Sequence, residues 1–188
     1  MIKKVEDFGK YIALAGFRDA KITDAKSFFS QIRKMTRDVQ IQFLNADLIA
    51  GWEHLYFAVL NAMKAFESKL NISNSLAIET LLYASSQRQI NKAVNLLGIK
   101  NESPRVAVLV MADTERGANA VLETVSQMMP GERDDSVFRL TDEKVAGIRK
   151  LFSISDLEFE AKLERKGLEK EALVDLVIEH GALLVTRR

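Results

Sequence analysis

Residues 45–99, NADLIAGWEHLYFAVLNAMKAFESKLNISNSLAIETLLYASSQRQINKAVNLLGI, read as three helices in succession and decide the fold class. In the first, Trp52, Leu55, Tyr56, Val59, Leu60, Met63 and Phe66 recur at three- and four-residue spacing, which puts them on one helical face expected to be buried. The second, residues 73–85, is apolar nearly all round, as a helix enclosed by others would be. The third is expected to begin at Ser86, with Gln89 completing a capping box. Ile90, Ala93, Val94 and Leu97 then form its buried stripe, and Gly98 closes it.

Upstream, Lys10 to Phe17 is apolar on both alternating faces, the mark of a strand covered on both sides. Thr23-Asp24 opens a helix whose core stripe is Ala25, Phe28, Phe29, Ile32 and Met35, with Lys26, Arg33, Lys34 and Arg37 gathered on the other side. Val39, Ile41 and Phe43 alternate with glutamines as a half-buried strand. Downstream, Arg105 to Met111 has the continuous Val/Leu character of an inner strand, and Asp113 is placed to cap the helix that follows. Val137 to Leu140 suggests a short strand, Thr141 starts a helix, Ser155 with Glu158 makes another capping box, and a last helix runs near Glu169 to His180. The expectation is an α/β (α+β) fold: a single globular domain, 1–188, with a small mixed sheet of about three to four strands packed with about seven helices.

With 47% hydrophobic residues in 188, the chain can bury a core of its own. Its 27 basic and 26 acidic residues give no global field to draw it onto nucleic acid or membrane, so any such contact needs a local patch. Cysteine is absent, which removes disulfides and thiolate metal sites. No signal peptide and no run near the roughly 20 apolar residues of a membrane span is visible, and a soluble cytoplasmic protein is expected.

Residues able to carry chemistry are sparse. His54 and His180 lack neighbouring ligands at metal-binding spacing; His54 falls on the polar side of its helix, and His180 at a helix C-terminus, where positive charge is favoured. There is no Gly-rich phosphate loop and no Gly-x-Ser-x-Gly elbow, so neither a cofactor nor a catalytic group is assigned. Asp134-Asp135 read as solvated loop residues. Glu79, in apolar surroundings, requires a cation or amide donors, or must reach water at the helix rim; Arg88 or Lys92 would supply the cation. Phe57 points away from the Trp52 stripe, between Asn61 and Lys64, where an aromatic serves as a partner anchor, a stacking platform or an incidental surface group. Two basic clusters, Lys26/Arg33/Lys34/Arg37 and Arg88/Lys92, are either solvated faces or phosphate contacts, the second beside an expected helix start.

The run SLAIETLLYASSQRQINKAVNLLGI, residues 75–99, resembles the TPRKB family, the kinase-binding subunit of the KEOPS (or EKC) complex. The similarity extends upstream through NADLIAGWEHLYFAVLNAMKA and more faintly to KLFSISDLE and EALVDLV. The resemblance implies an α/β domain without catalytic residues that binds and stimulates an atypical kinase/ATPase. It also implies a share in holding the single-stranded 3′ end of tRNA while a separate transferase makes threonylcarbamoyl adenosine. On that basis Arg88, Lys92, Lys64, Lys26, Arg33 and Arg37 are candidates for RNA contact, with no cofactor, metal or membrane. The last helix has more apolar positions than one core stripe needs, so Leu173, Val174, Val177 and Ile178, with Phe57, are candidates for partner contact. The opening MIKKVEDFG and closing GALLVTRR depart from the pattern, as does Gly167 within a region that is helical in the family. The rival reading is an enzyme with a small-molecule pocket of scattered residues. A deep pocket of converging titratable groups would favour it, and exposed apolar surface beside basic groups the adaptor.

Overall fold

The computed structural model describes residues 1–36, 39–100 and 103–186, apart from the side chains of Ala25 and Lys26. In chain order the elements are β1 (Ile2–Val5), β2 (Lys10–Arg18), α1 (Ala25–Met35), β3 (Gln40–Asn45), α2 (Trp52–Glu67), α3 (Leu76–Ser85), α4 (Ile90–Leu97) and β4 (Arg105–Ala112). They continue with α5 (Glu115–Met128), β5 (Glu132–Arg133), α6 (Asp142–Phe152), α7 (Asp156–Lys162) and α8 (Glu169–Ala182). Two compact units result, one of residues 1–46 and 98–137 and one of residues 47–97 and 138–188. No helix of the described residues is long and apolar enough to cross a membrane.

The first unit holds the sheet, ordered β1-β2-β4-β3 with β5 also on β2. The α/β class stands, with five strands in place of three or four, β1 and the two-residue β5 having too little apolar alternation to be legible. The expected mixed sheet is antiparallel in every pairing. The reason is topological: β2 and β3, joined through α1, run in the same direction but do not touch, because β4 enters between them and is antiparallel to both. Ala13, Ala15 and Phe17 of β2, Val106, Val108 and Val110 of β4 and Phe43 of β3 share a core with Ile32 of α1 and Ala118, Leu122 and Val125 of α5. Phe28 and Phe29 pack on Phe43 with ring centroids 5.6 and 5.1 Å away. Met35, expected in that stripe, is 60% exposed at the end of α1.

Asp24 caps α1 by accepting from the Ser27 amide. The cap of α5 is Thr114 rather than Asp113, whose carboxylate instead pairs with Lys10. The strand expected at Val137–Leu140 is also absent: residues 135–138 form one turn of 3-10 helix. Asp134 and Asp135, far from being idle solvated charges, fold this segment back onto β2. The Gly16 amide donates to Asp135 Oδ1 at 2.8 Å, and the Asp134 amide donates to the Gly16 carbonyl at 2.9 Å. A Cβ on Gly16 would lie 2.3 Å from Val137 Cγ2 and 2.5 Å from the Asp134 oxygen, so glycine is needed for the approach.

The second unit is helical. α8 packs on α2, α3, α6 and α7, and Leu173, Leu176 and Val177 join Ala50, Ile148, Phe152 and Ile154 in a core. α3 is enclosed as its composition requires, with residues 79–85 all buried. The buried face of α2 is His54, Leu55, Ala58, Val59, Ala62, Met63 and Ala65, rotated from the expected stripe; Trp52, Tyr56, Leu60 and Phe66 are only half-buried. The wholly buried Leu55 and Val59 each contribute about 2 kcal/mol of apolar burial.

Candidate functional site

With its alanine-rich side turned inward, α2 offers an outer side carrying aromatic rings. Tyr56 lies edge-on between Trp52 and Phe57, at 6.1 and 5.5 Å between ring centroids. Phe57 is 38% exposed, and Lys64, two turns on along the same side, is exposed as well. The ladder was hidden in the sequence because Trp52 and Tyr56 fit the helical apolar period as well as the true core residues do.

The start of α4 differs from the expected capping box. Ser86 is the left-handed C-cap of α3, φ 52°, its amide bonded to the last-turn carbonyls, so α4 begins only at Ile90. The anion site expected at Ser86 is therefore not formed there. Arg88 lies in the intervening turn, and its Nη1 donates to the Leu184 carbonyl at 3.3 Å. Lys92 is exposed in the first turn of α4. Ala93 and Leu97 are buried as expected, whereas Ile90 and Val94 are 40% and 42% exposed. Arg88 and Lys92 thus share a short segment with two uncovered β-branched side chains. α4 has only eight residues, and a stripe so short gave no means of telling which apolar positions would find neighbours.

On α1, in the other unit, Arg33 is exposed. The Lys26 side chain and Arg37 lie outside the described residues. On α8, Leu173 and Val177 are buried in the core, and only Val174 and Ile178 reach the surface, half-covered. The apolar excess of this helix is accounted for mainly by its central position, which contacts four other helices. Beyond it, Leu183 and Val185 are exposed in a one-turn 3-10 helix.

Both histidines take structural partners. His54 is 2% exposed, not on a polar face; its Nδ1 accepts from the Ala50 amide at 3.3 Å and its Nε2 faces the Ala84 carbonyl at 2.8 Å. That pairing specifies the neutral ring protonated on Nε2. Burial drives its pKa down to about 4, against the opposing effect of the Ala84 carbonyl. His180 Nε2 lies 2.6 Å from Glu158 Oε1. Glu79 takes amides rather than a cation: its Oε2 accepts from Ile72 at 3.0 Å and Ser73 at 2.7 Å, fixing the α2–α3 loop. Lys144, on which no sequence pattern bears, is 4% exposed, with Nζ donating to the Ile49 carbonyl at 3.4 Å. No cluster of three or more His, Asp or Glu side chains able to hold a metal ion is found among the described residues.

A family model described as kinase binding protein CGI-121 matches residues 19–184. The chain is also 34% identical over 138 residues to a protein of Methanocaldococcus jannaschii described as regulatory protein Cgi121, covering 73% of this chain and 85% of that protein.

Proposed function

The chain belongs to the family described as kinase binding protein CGI-121, and from that premise we propose that it is a regulatory, non-catalytic subunit that binds and stimulates the atypical kinase/ATPase of the KEOPS complex. The observation that carries the reading is the family match over residues 19–184. Surface chemistry supports it: Arg88 and Lys92 adjoin the exposed Ile90 and Val94, the pairing of basic and apolar surface suited to an adaptor. The kinase contacts the half-covered edge of α8 at Val174 and Ile178, above the buried Leu173 and Val177 that hold this edge in place. Stimulation follows only if that contact is tighter in the active conformation of the kinase than in the inactive one.

The finer part of the proposal is a hold on the 3′ end of tRNA during threonylcarbamoyl adenosine formation. Unpaired RNA is held through phosphates and stacked bases, for which Arg88, Lys92 and Lys64 supply cations and Phe57 an exposed ring. Arg33, with Lys26 and Arg37, is the competing location. The test is reconstitution from purified components. Capture of the kinase, an increased ATPase rate on adding the chain, and loss of both in Val174→Asp with Ile178→Asp support the reading. No capture by the folded wild-type chain overturns it, and capture undiminished in the variant moves the contact elsewhere.

A further inference from the structure

In the helical unit, three helix ends meet around a cleft of about 220 Å³. Ser85, Ser86 and Gln87 come from the end of α3, Phe152 and Ser153 from the end of α6, and His180 from the last turn of α8. Two of the walls are built alike. At the end of α3 the Ser86 amide donates to the Tyr83 carbonyl at 3.1 Å and the Gln87 amide to Leu82 at 3.0 Å; at the end of α6 the Ser153 amide donates to Lys150 at 3.3 Å and the Ile154 amide to Arg149 at 2.9 Å. Both are Schellman closures, with a left-handed residue that is ordinarily glycine. Here both are serine, at φ 52° and 56°.

That construction selects the sign of a ligand. The closures engage the amides of Ser86, Gln87, Ser153 and Ile154 with carbonyls of the last turns, so none of these four amides is left to donate to an anion, while a helix C-terminus carries about half a negative charge. Ser86 is 7% exposed and its Oγ has no hydrogen-bond partner among the described residues, although a buried hydroxyl without one is costly. His180 is held by the Glu158 carboxylate, and the Phe152 ring packs edge-on to it at 6.4 Å. Arg149 is paired with the Asp156 carboxylate at 2.6 Å, and Arg88 is turned to the Leu184 carbonyl. The volume is below that of pockets for nucleotides or drug-sized ligands, and suits a side-chain-sized group.

We infer that the cleft formed by the ends of α3, α6 and α8 receives an organic cation, an ammonium or guanidinium head, with Ser86 Oγ accepting one of its protons at the negative ends of the helices. The head belongs either to a lysine or arginine side chain of a protein or to a free polyamine. The inference does not rest on kinase binding or on RNA.

Backbone amide NMR of the full chain, titrated with N-acetyl-arginine amide, N-acetyl-lysine amide, spermidine, N-acetyl-glycine amide and inorganic phosphate, tests it. Saturable shifts confined to Ser85, Ser86, Gln87, Ser153 and His180 are expected with at least one cation and with neither control. Preference for a blocked amino acid assigns the head to a protein side chain, and preference for spermidine to a free polyamine. Ser86→Gly keeps the left-handed cap, so the fold is retained, and weakens the binding about three- to tenfold. Absence of saturable shifts with every cation, equal shifts with phosphate or N-acetyl-glycine amide, or unchanged affinity in folded Ser86→Gly would overturn the inference.

Discussion

The imidazole of His54 on α2 bonds through Nε2 to the carbonyl of Ala84 on α3, 2.8 Å away, and thereby joins two helices through a ring that must stay neutral. The Ala84 carbonyl lies in the last turn of α3, where no intrahelical amide is available to it, so the histidine supplies the missing donor.

A pH dependence of stability follows. The folded pKa of His54 is about 4 against 6.5 unfolded, so between these values the unfolded chain binds the extra proton. The contribution is therefore full above pH 6.5 and is lost progressively as pH falls towards 4, amounting to about 3 kcal/mol at most. Denaturant titrations at several pH values should show a shallower acid decline for His54→Gln than for wild type. Identical slopes would mean that His54 titrates normally in the folded chain.

Glu79 should act as a clamp on the α2–α3 loop. Glu79→Ala leaves the amides of Ile72 and Ser73 without their acceptor and is expected to lower stability by about 3 kcal/mol. Hydrogen exchange should accelerate at those two amides well before the β4 amides respond. Glu79→Gln, which keeps one acceptor oxygen, should fall between. Unaltered protection in Glu79→Ala would remove the clamp from the account.

The two glycines Gly16 and Gly147 should respond oppositely to alanine. At Gly16 the new methyl meets Val137 and the Asp134 backbone well inside contact distance, and a loss of about 3 kcal/mol is expected. At Gly147, within α6, the nearest atom would be Leu48 Cδ2 at an ordinary 3.6 Å, so helix propensity dominates and a gain of about 0.5–1 kcal/mol is expected. Thermal or denaturant unfolding of the two variants decides, and equal effects would contradict the packing described.

For RNA, Lys92→Glu is a cleaner probe than Arg88→Glu, because Arg88 also bonds to the Leu184 carbonyl. The double variant should weaken binding to intact tRNA and lower the slope of log K against log salt by about 2 if each side chain meets one phosphate. Removing the single-stranded 3′ tail should weaken wild-type binding comparably, with little further loss in the double variant. Equal wild-type affinity for tailed and tail-less tRNA would rule out the 3′ end, whereas loss only in an Arg33 variant would transfer the site to α1.

The sequence by itself determined the helices around residues 45–99, the three long strands and the enclosure of α3, because in each the apolar pattern exceeds what one exposed face allows. It also carried the family, through a long run of ordinary residues. Tertiary structure alone decided which of two overlapping apolar stripes on α2 is buried, since both satisfy the helical period and only the neighbours choose between them. It decided that β4 enters between β2 and β3, a long-range pairing that no local pattern encodes. It likewise decided that α8 runs through the middle of its unit, so that Leu173 and Val177 became core rather than surface. The partners of His54 and Glu79 were settled the same way: which amides and carbonyls stand unpaired within 3 Å of a buried polar side chain depends on how helices end and loops close in space.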